Sequence, residues 1–456
     1  MPRLLPGFPY SDKVSAPCAP ASTGKLTLLP LIAATFFIVS GGPFGLEDTV
    51  AKAGYGGAIL ILLLTPVLWS FPTALMVSEL STALPEDGGY YVWVRRGMGR
   101  FWGFQEAWLS LVGSVFDMAL YPTLFVAYLG HFLPALTAGQ RATWIAIGLI
   151  AAAAAWNLLG AKSVGGSSVV MGVLLLAPFA ALAVLSLFNR GVFHAHSVAP
   201  RHADILGGVL VAMWNYMGWD NASTVAGEVE NPRRTYPRAM AGAVALVALG
   251  YVLPIGAVAL TGFDAGRWET GGWADVARAV LGTGVAGAVV ALGITAGGML
   301  GAAGSLNALT LVLSRVPAAL AEDGCLPKLF ARRDPLTGVP RWAIAGCAAA
   351  WALGLALPFG KLVMIDMLLT GSSILLEFAA LVALRIREPH LARPYRVPGG
   401  LAGAIAICIP PTVLMVLAAV RNGVEPVGPI NALELGAILV AVGVVVYFLG
   451  ERFRKP

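Results

Sequence analysis

Asp117 and Asp220 each stand in a long run of apolar residues, where a carboxylate calls for an explanation. An ionisable group at membrane depth costs several kcal/mol unless it meets a cation, a proton or water, so each such residue is a functional candidate. Helical spacing sets Ser110, Gly113, Ser114 and Tyr121 on the same face as Asp117. Asp366, Thr370, Ser373 and Glu377 make a second polar stripe, which should face a bundle interior. Glu47 and Asp48 follow the glycine-rich run Ser40-Gly41-Gly42-Pro43-Phe44-Gly45, and Asp220 ends the run Tyr216-Met217-Gly218-Trp219. Phe44, Trp214, Tyr216 and Trp219 crowd these two runs. Aromatic faces attract ammonium groups, though they would line a site for a neutral side chain equally well. The chemistry on offer is cation binding and proton transfer, and Glu47, Asp117 and Asp220 are the acids that could perform either.

Several acids, small residues, histidines and cysteines have a plainer reading. Glu79 and Glu377 lie near helix ends and are expected to pair with loop arginines. Glu47 and Asp48 would complement the positive N-terminus of a half-helix. Gly293, Gly297, Gly301 and Ser305 recur every fourth residue and suit close helix packing. His194, His196 and His202 share one loop, where solvated side chains are favoured over a metal site. Cys18, Cys325, Cys347 and Cys408 have no ligand or disulfide spacing. No metal and no cofactor are expected.

The elements that hold these residues follow from composition. The chain has 456 residues, 58% hydrophobic and 12% charged, with a mean hydropathy of +0.79. A water-soluble domain carries roughly twice that share of charge. Helical runs long enough to span a bilayer recur twelve times: Leu26–Leu46, Ala53–Ser78, Phe101–Gly130, Ala142–Ala161, Ser163–Asn189, Ile205–Gly227, Ala239–Phe263, Ala279–Ser314, Trp342–Gly360, Leu362–Leu384, Val397–Val420 and Pro426–Gly450. Ala279–Ser314 is long for one span and is expected to begin with a short outer segment or to run tilted. Met1–Lys25 lacks an apolar core and reads as a tail rather than a signal peptide. With both termini in the cytoplasm, 22 of the 30 Lys and Arg fall in cytoplasmic loops, as the positive-inside rule requires. The net charge of +6 is thus a matter of topology, and no nucleic-acid partner is expected.

The first and sixth spans contain residues that no straight helix would choose: Gly41, Gly42 and Pro43 in one, Gly218 and a charge in the other. Matching interruptions in two halves of a membrane protein point to a binding site between half-helix ends. Gly41, Gly42 and Gly218 are therefore expected to turn backbone groups toward a cavity shared with Trp214. A channel would need repeated charged or carbonyl rings, and none is visible. An intramembrane enzyme would need a nucleophile–base or metal constellation, which is also lacking, and no phosphate-binding loop supports ATP drive.

The stretch from Ser40-Gly41-Gly42-Pro43-Phe44-Gly45-Leu46-Glu47-Asp48 through Pro85-Glu86-Asp87-Gly88-Gly89-Tyr90 to Phe101-Trp102-Gly103-Phe104-Gln105 resembles the amino acid–polyamine–organocation superfamily, most of all its polyamine uptake branch. Gly218-Trp219-Asp220, the run Gly227–Pro237, and Ser314-Arg315 followed by Ala321–Pro327 resemble the same superfamily. The resemblance implies an all-α fold of the LeuT type: a first inverted repeat over 26–189, a second over 205–385, and two further helices over 397–450. Tails over 1–25 and 451–456 would lie in the cytoplasm beneath the plasma membrane. It further implies alternating access and transport of an amino acid or polyamine, coupled to protons or to sodium. Trp214, six residues before the acid, is similar to a substrate-stacking tryptophan of arginine–agmatine exchangers, which also keep a carboxylate at the position of Asp220; the resemblance implies that Asp220, and with it Glu47, are candidate coupling acids, and that Asp117 and Glu47 meet substrate charge. Ser163–Asn189 lacks the lysine that some relatives use in place of sodium, and His131–Arg141 lacks the cysteine that links animal relatives to a partner chain. No disulfide-linked partner is expected.

Overall fold

The computed structural model describes residues 25–188, 205–269, 271–357, 359–423, 426–427 and 429–453. The histidine cluster, Cys18, residues 1–24 of the N-terminal tail and 454–456 of the C-terminal tail lie outside them. Helix α1 (Leu28–Val39) stops where the backbone turns left-handed at Gly41, Gly42 and Gly45, a conformation that side chains disfavour. The amide of Gly42 donates to Ser40 Oγ at 3.0 Å and closes this turn. Helix α2 (Glu47–Thr65) then begins, kinks at Gly54 with φ near 67°, and continues through a π-turn at Pro66–Ser70 into α3 (Phe71–Ala83). The sequence suggests a loop between Leu46 and Ala53; instead those residues are helical, and the chain bends at Gly54. A short amphipathic helix α4 (Tyr90–Met98) leads into α5 (Arg100–Phe132), followed by α6 (Gln140–Asn157) and α7 (Ala161–Phe188).

The next apolar run is helical only over α8 (Ile205–Trp214), after which the chain runs irregularly to Trp219 and resumes as 3-10 turns at Asp220–Thr224 and Ala226–Glu228. Helices α9 (Pro232–Ala259), α10 (Trp273–Leu281), α11 (Val285–Leu313) and α12 (Arg315–Glu322) follow. The long run Ala279–Ser314 is thus divided at Gly282, whose φ is positive. Helices α13 (Arg341–Gly354), α14 (Phe359–Arg387) and α15 (Gly400–Asn422), a two-residue β-hairpin and α16 (Ala432–Phe453) complete the chain.

Eight helical segments among the described residues are long and apolar enough to cross a membrane. Their outward faces carry Leu60, Leu63, Val67, Val173, Leu253, Val289, Val416 and Phe448, while the polar side chains turn inward. An apolar exterior of this extent is a lipid contact. Helices α5 and α14 pack along each other at the centre, and α1 is enclosed by α7, α9 and α11.

The end of the bundle with the arginine-rich loops, called here the basic face, is closed by ion pairs. Arg385 forks onto both oxygens of Glu79 at 2.9 and 2.5 Å, and Arg393 joins at 3.2 Å. Arg315 holds Glu228 at 2.9 Å, Arg333 holds Asp87 at 3.0 Å, and Arg95 pairs with Asp323. Burial pushes the Asp87 carboxyl above its usual range, Glu228 adds to this, and Arg333 opposes it. Leu26 and Val229 form a backbone bridge, tying the start of α1 to the end of the second interrupted run.

Candidate substrate-binding site

The two interrupted runs face each other. The Gly218 backbone approaches the carbonyl of Ile38 so closely that a Cβ there would lie 3.0 Å from its oxygen. Tyrosines secure the non-helical carbonyls: Tyr251 donates to Asn215 at 2.8 Å and Tyr236 to Ala222 at 2.7 Å. Without such partners the exposed peptide groups would be costly at membrane depth. On the other side, Gly301 of α11 leaves room for the Gly41 carbonyl; a Cβ on Gly301 would stand 2.3 Å from that oxygen. Gly293 likewise faces Pro178, and Gly297 faces Leu175. The small-residue stripe is therefore a packing face.

Between the runs, α5 and α14 lies a cavity of about 50 Å³. That is room for a few water molecules. Three carboxylates line it: Asp117 from α5, Asp366 from α14 and Asp220 from the second interruption. Its described lining includes no lysine, arginine or histidine. Tyr121 donates to Asp117 Oδ1 at 3.0 Å, and Thr370 donates to Asp366 Oδ1 at 2.8 Å. Asp220 Oδ1 is buried without a hydrogen-bond partner. Trp214, Ser40, Asn215 and Gly218 also line it, with apolar side chains of α1 and α11 among the rest. Trp351 donates to Ser114 at 3.1 Å and fixes that hydroxyl at the cavity edge.

Of the residues singled out from sequence, Asp117, Tyr121, Trp214, Gly218 and Asp220 meet in this cavity. Ser110, Ser114, Asp366 and Thr370 join them, and the remaining site candidates do not line it. Gly41 and Gly42 shape the first turn, and only Ser40 of that run reaches the cavity. Phe44 packs edge-on against Tyr128 and Phe179, at ring-centre distances of 5.2 and 5.3 Å, on the side away from the basic face. There it borders a separate cavity of about 240 Å³, next to Trp273, whose indole donates to the Pro43 carbonyl. Glu47 is fully buried beside that aromatic group, accepts from the Gly271 amide at 3.2 Å and keeps Oε2 unpartnered. Asp48 forms a surface pair with Lys52. Tyr216 is directed outward to the Leu62 carbonyl at 3.0 Å, and Trp219 is wholly enclosed.

Glu79 pairs with Arg393 of the loop after α14, as expected, and with Arg385 in the last turns of α14, whereas Glu377 meets no arginine among the described residues. Both of its oxygens lack hydrogen bonds, because Arg385, the nearest arginine along α14, is turned to Glu79. Glu106 escaped the sequence reading altogether. It is fully buried and accepts from Ser110 and Ser373 at 2.9 and 3.0 Å. The signal was present: residues 106, 110, 113, 117 and 121 continue a single helical face.

Helix lengths, an apolar exterior and a narrow acid-lined cavity define a polytopic membrane protein with an internal polar site. The amino acid permease family model matches residues 32–446. Polyamine transporter PUT1 of Oryza sativa subsp. japonica is 37% identical over 426 residues, covering 92% of this chain and 78% of that protein. Polyamine transporter RMV1 of Arabidopsis thaliana is 34% identical over 451 residues, covering 96% and 89%. Serine/threonine exchanger SteT of Bacillus subtilis is 27% identical over 389 residues, covering 82% and 86%. The chain belongs to the amino acid permease family of the amino acid–polyamine–organocation superfamily, and it is a multi-pass membrane transporter rather than an enzyme.

Proposed function

We propose that this transporter is a secondary carrier of small organic cations, linear polyamines foremost, driven by a proton gradient. The observation that carries this reading is a narrow cavity with three carboxylates and no basic side chain in its described lining. Such a space attracts ammonium groups and disfavours anions. Asp117 and Asp366 hold the substrate charge, with Trp214 and Tyr121 offering aromatic faces to it. Asp220, at the start of the 3-10 turn after the irregular segment and with one oxygen unpartnered, exchanges a proton as the carrier turns over. Glu47 lies outside the cavity and is assigned neither to substrate nor to coupling; Gly41 and Gly42 act by shaping the turn that Ser40 presents.

The working architecture is a LeuT-type bundle of twelve spans with two inverted repeats, 26–189 and 205–385, in the plasma membrane. Interruptions at 40–46 and 215–219, in the first and sixth spans of that scheme, support it. The count is reached by joining α1 to the first turns of α2, α8 to the 3-10 turns after it, and adding α6 and α13 to the longer helices. Alternating access then opens either the ion-paired basic face or the aromatic side. A second reading, exchange of amino acids without proton drive, is favoured by the similarity to SteT.

Counterflow of labelled polyamine into proteoliposomes tests the function. Saturable uptake that grows with an imposed pH gradient and ignores replacement of sodium by choline is expected. Counterflow of serine or threonine with none of polyamine would support the exchanger instead.

A further inference from the structure

Toward the basic face from the cavity, α5 and α14 carry two more acids that the proposed cycle leaves unused. Along α5 the face of Asp117 continues through Ser114 and Ser110 to Glu106. Along α14 the face of Asp366 continues through Thr370 and Ser373 to Glu377. The helices run antiparallel, so the two series meet rung by rung. Gly113 stands against Thr370, the Ser110 and Ser373 hydroxyls are 2.9 Å apart, and both donate to Glu106 Oε1. Glu377 lies within electrostatic range of Glu106 and Asp220.

Both glutamates are completely buried, and no ion pair among the described residues reaches either. Three of their four oxygens, Glu106 Oε2 and both of Glu377, have no hydrogen-bond partner. Buried carboxylates in that condition are at rest only with a proton or a cation from outside the chain. A primary ammonium carries three donors, one for each free oxygen.

The spacing selects the ligand. Asp117 and Glu106 are eleven positions apart on one helix, which is about 16 Å at the α-helical rise. An extended chain gains about 1.2 Å per bond, so roughly thirteen bonds cover that distance, as in a linear tetraamine with three-, four- and three-carbon spacers. A four-carbon diamine reaches only about 6 Å and stays within the cavity.

We propose that Glu106, held by Ser110 and Ser373, and Glu377, one turn beyond Ser373 on the same face of α14, form a distal subsite for the far ammonium of a long linear polyamine whose near ammonium is held by Asp117 and Asp366. The inference rests on the polyamine reading above. In the closed form the Ser110–Ser373 contact fills the seam, and an entering chain parts it while the hydroxyls of Ser114 and Thr370 follow its middle.

Binding of the tetraamine and of 1,4-diaminobutane to the purified full-length protein in nanodiscs tests this. Glu106→Gln and Glu377→Gln should each lower the ratio of tetraamine to diamine affinity by about tenfold, the scale of losing one charge-assisted hydrogen bond. Ser373→Ala keeps both acids and should lower the ratio about threefold; it decides the matter if a glutamate variant fails to fold. An unchanged ratio in variants that bind diamine overturns the subsite alone. Equal weakening for both amines also overturns it, because a structural role would act on both. Wild-type protein that binds neither amine overturns the substrate reading, and the subsite with it.

Discussion

Three carboxylates in one narrow space repel one another, and a bound cation relieves that repulsion at the same stroke as it binds. Asp117 takes part through a side chain oriented by Tyr121, while Asp220 opens a 3-10 turn and keeps Oδ1 without a hydrogen-bond partner. This difference separates their expected roles. Asp117→Asn should weaken cationic substrates about tenfold, both in gradient-driven uptake and in exchange. Asp220→Asn should lose uptake driven by a pH gradient yet retain exchange across the membrane. Paired transport assays on the two variants distinguish the roles, and unchanged affinity and pH dependence in both would refute the cationic reading. At this scale the sequence was informative wherever a charge interrupted apolar residues. It misled for Glu377, since helix position does not reveal which carboxylate an arginine will choose.

Among the elements, the first interruption depends on its neighbour as much as on itself. Its glycines allow the turn, but the carbonyl of Gly41 finds room only because α11 has no side chain at Gly301. Gly301→Val should therefore abolish transport while the protein still inserts and elutes as a single species on size exclusion. Gly148→Ala, with nothing within 4 Å of the added methyl, should transport normally and gain slightly in helix stability. If Gly301→Val retained wild-type uptake, the close approach of the two elements would be dispensable. The interruptions themselves were legible in Gly41-Gly42-Pro43 and Gly218. The bend at Gly54 was not, because Gly54, Gly56 and Gly57 lie together and only packing shows which one turns.

For the molecule as a whole, orientation decides which end of the acid series meets which compartment. The basic face gathers Arg95, Arg315, Arg333, Arg385 and Arg393, and the proposed topology turns it to the cytoplasm. Single cysteines at Leu336, an exposed loop position, and at Gly266, at the opposite end, should label from opposite sides in intact cells. Labelling of both by an impermeant reagent added outside would reverse or refute that topology.

Read alone, the sequence determined the membrane class, the all-helical character, the superfamily and the polar faces of α5 and α14. These are properties of composition and of helical period, which neighbouring residues along the chain carry between them. Tertiary structure decided the membership of the cavity. It brought Asp366 to Asp117 and Asp220, set Glu47, Phe44, Tyr216 and Trp219 apart from them, and set Ser373 of α14 against Glu106 of α5. The physical reason is that a helix face specifies direction but not partner. Which faces meet depends on how close two backbones can approach, and small residues such as Gly113, Gly301 and Gly218 set that limit from positions far apart in the chain.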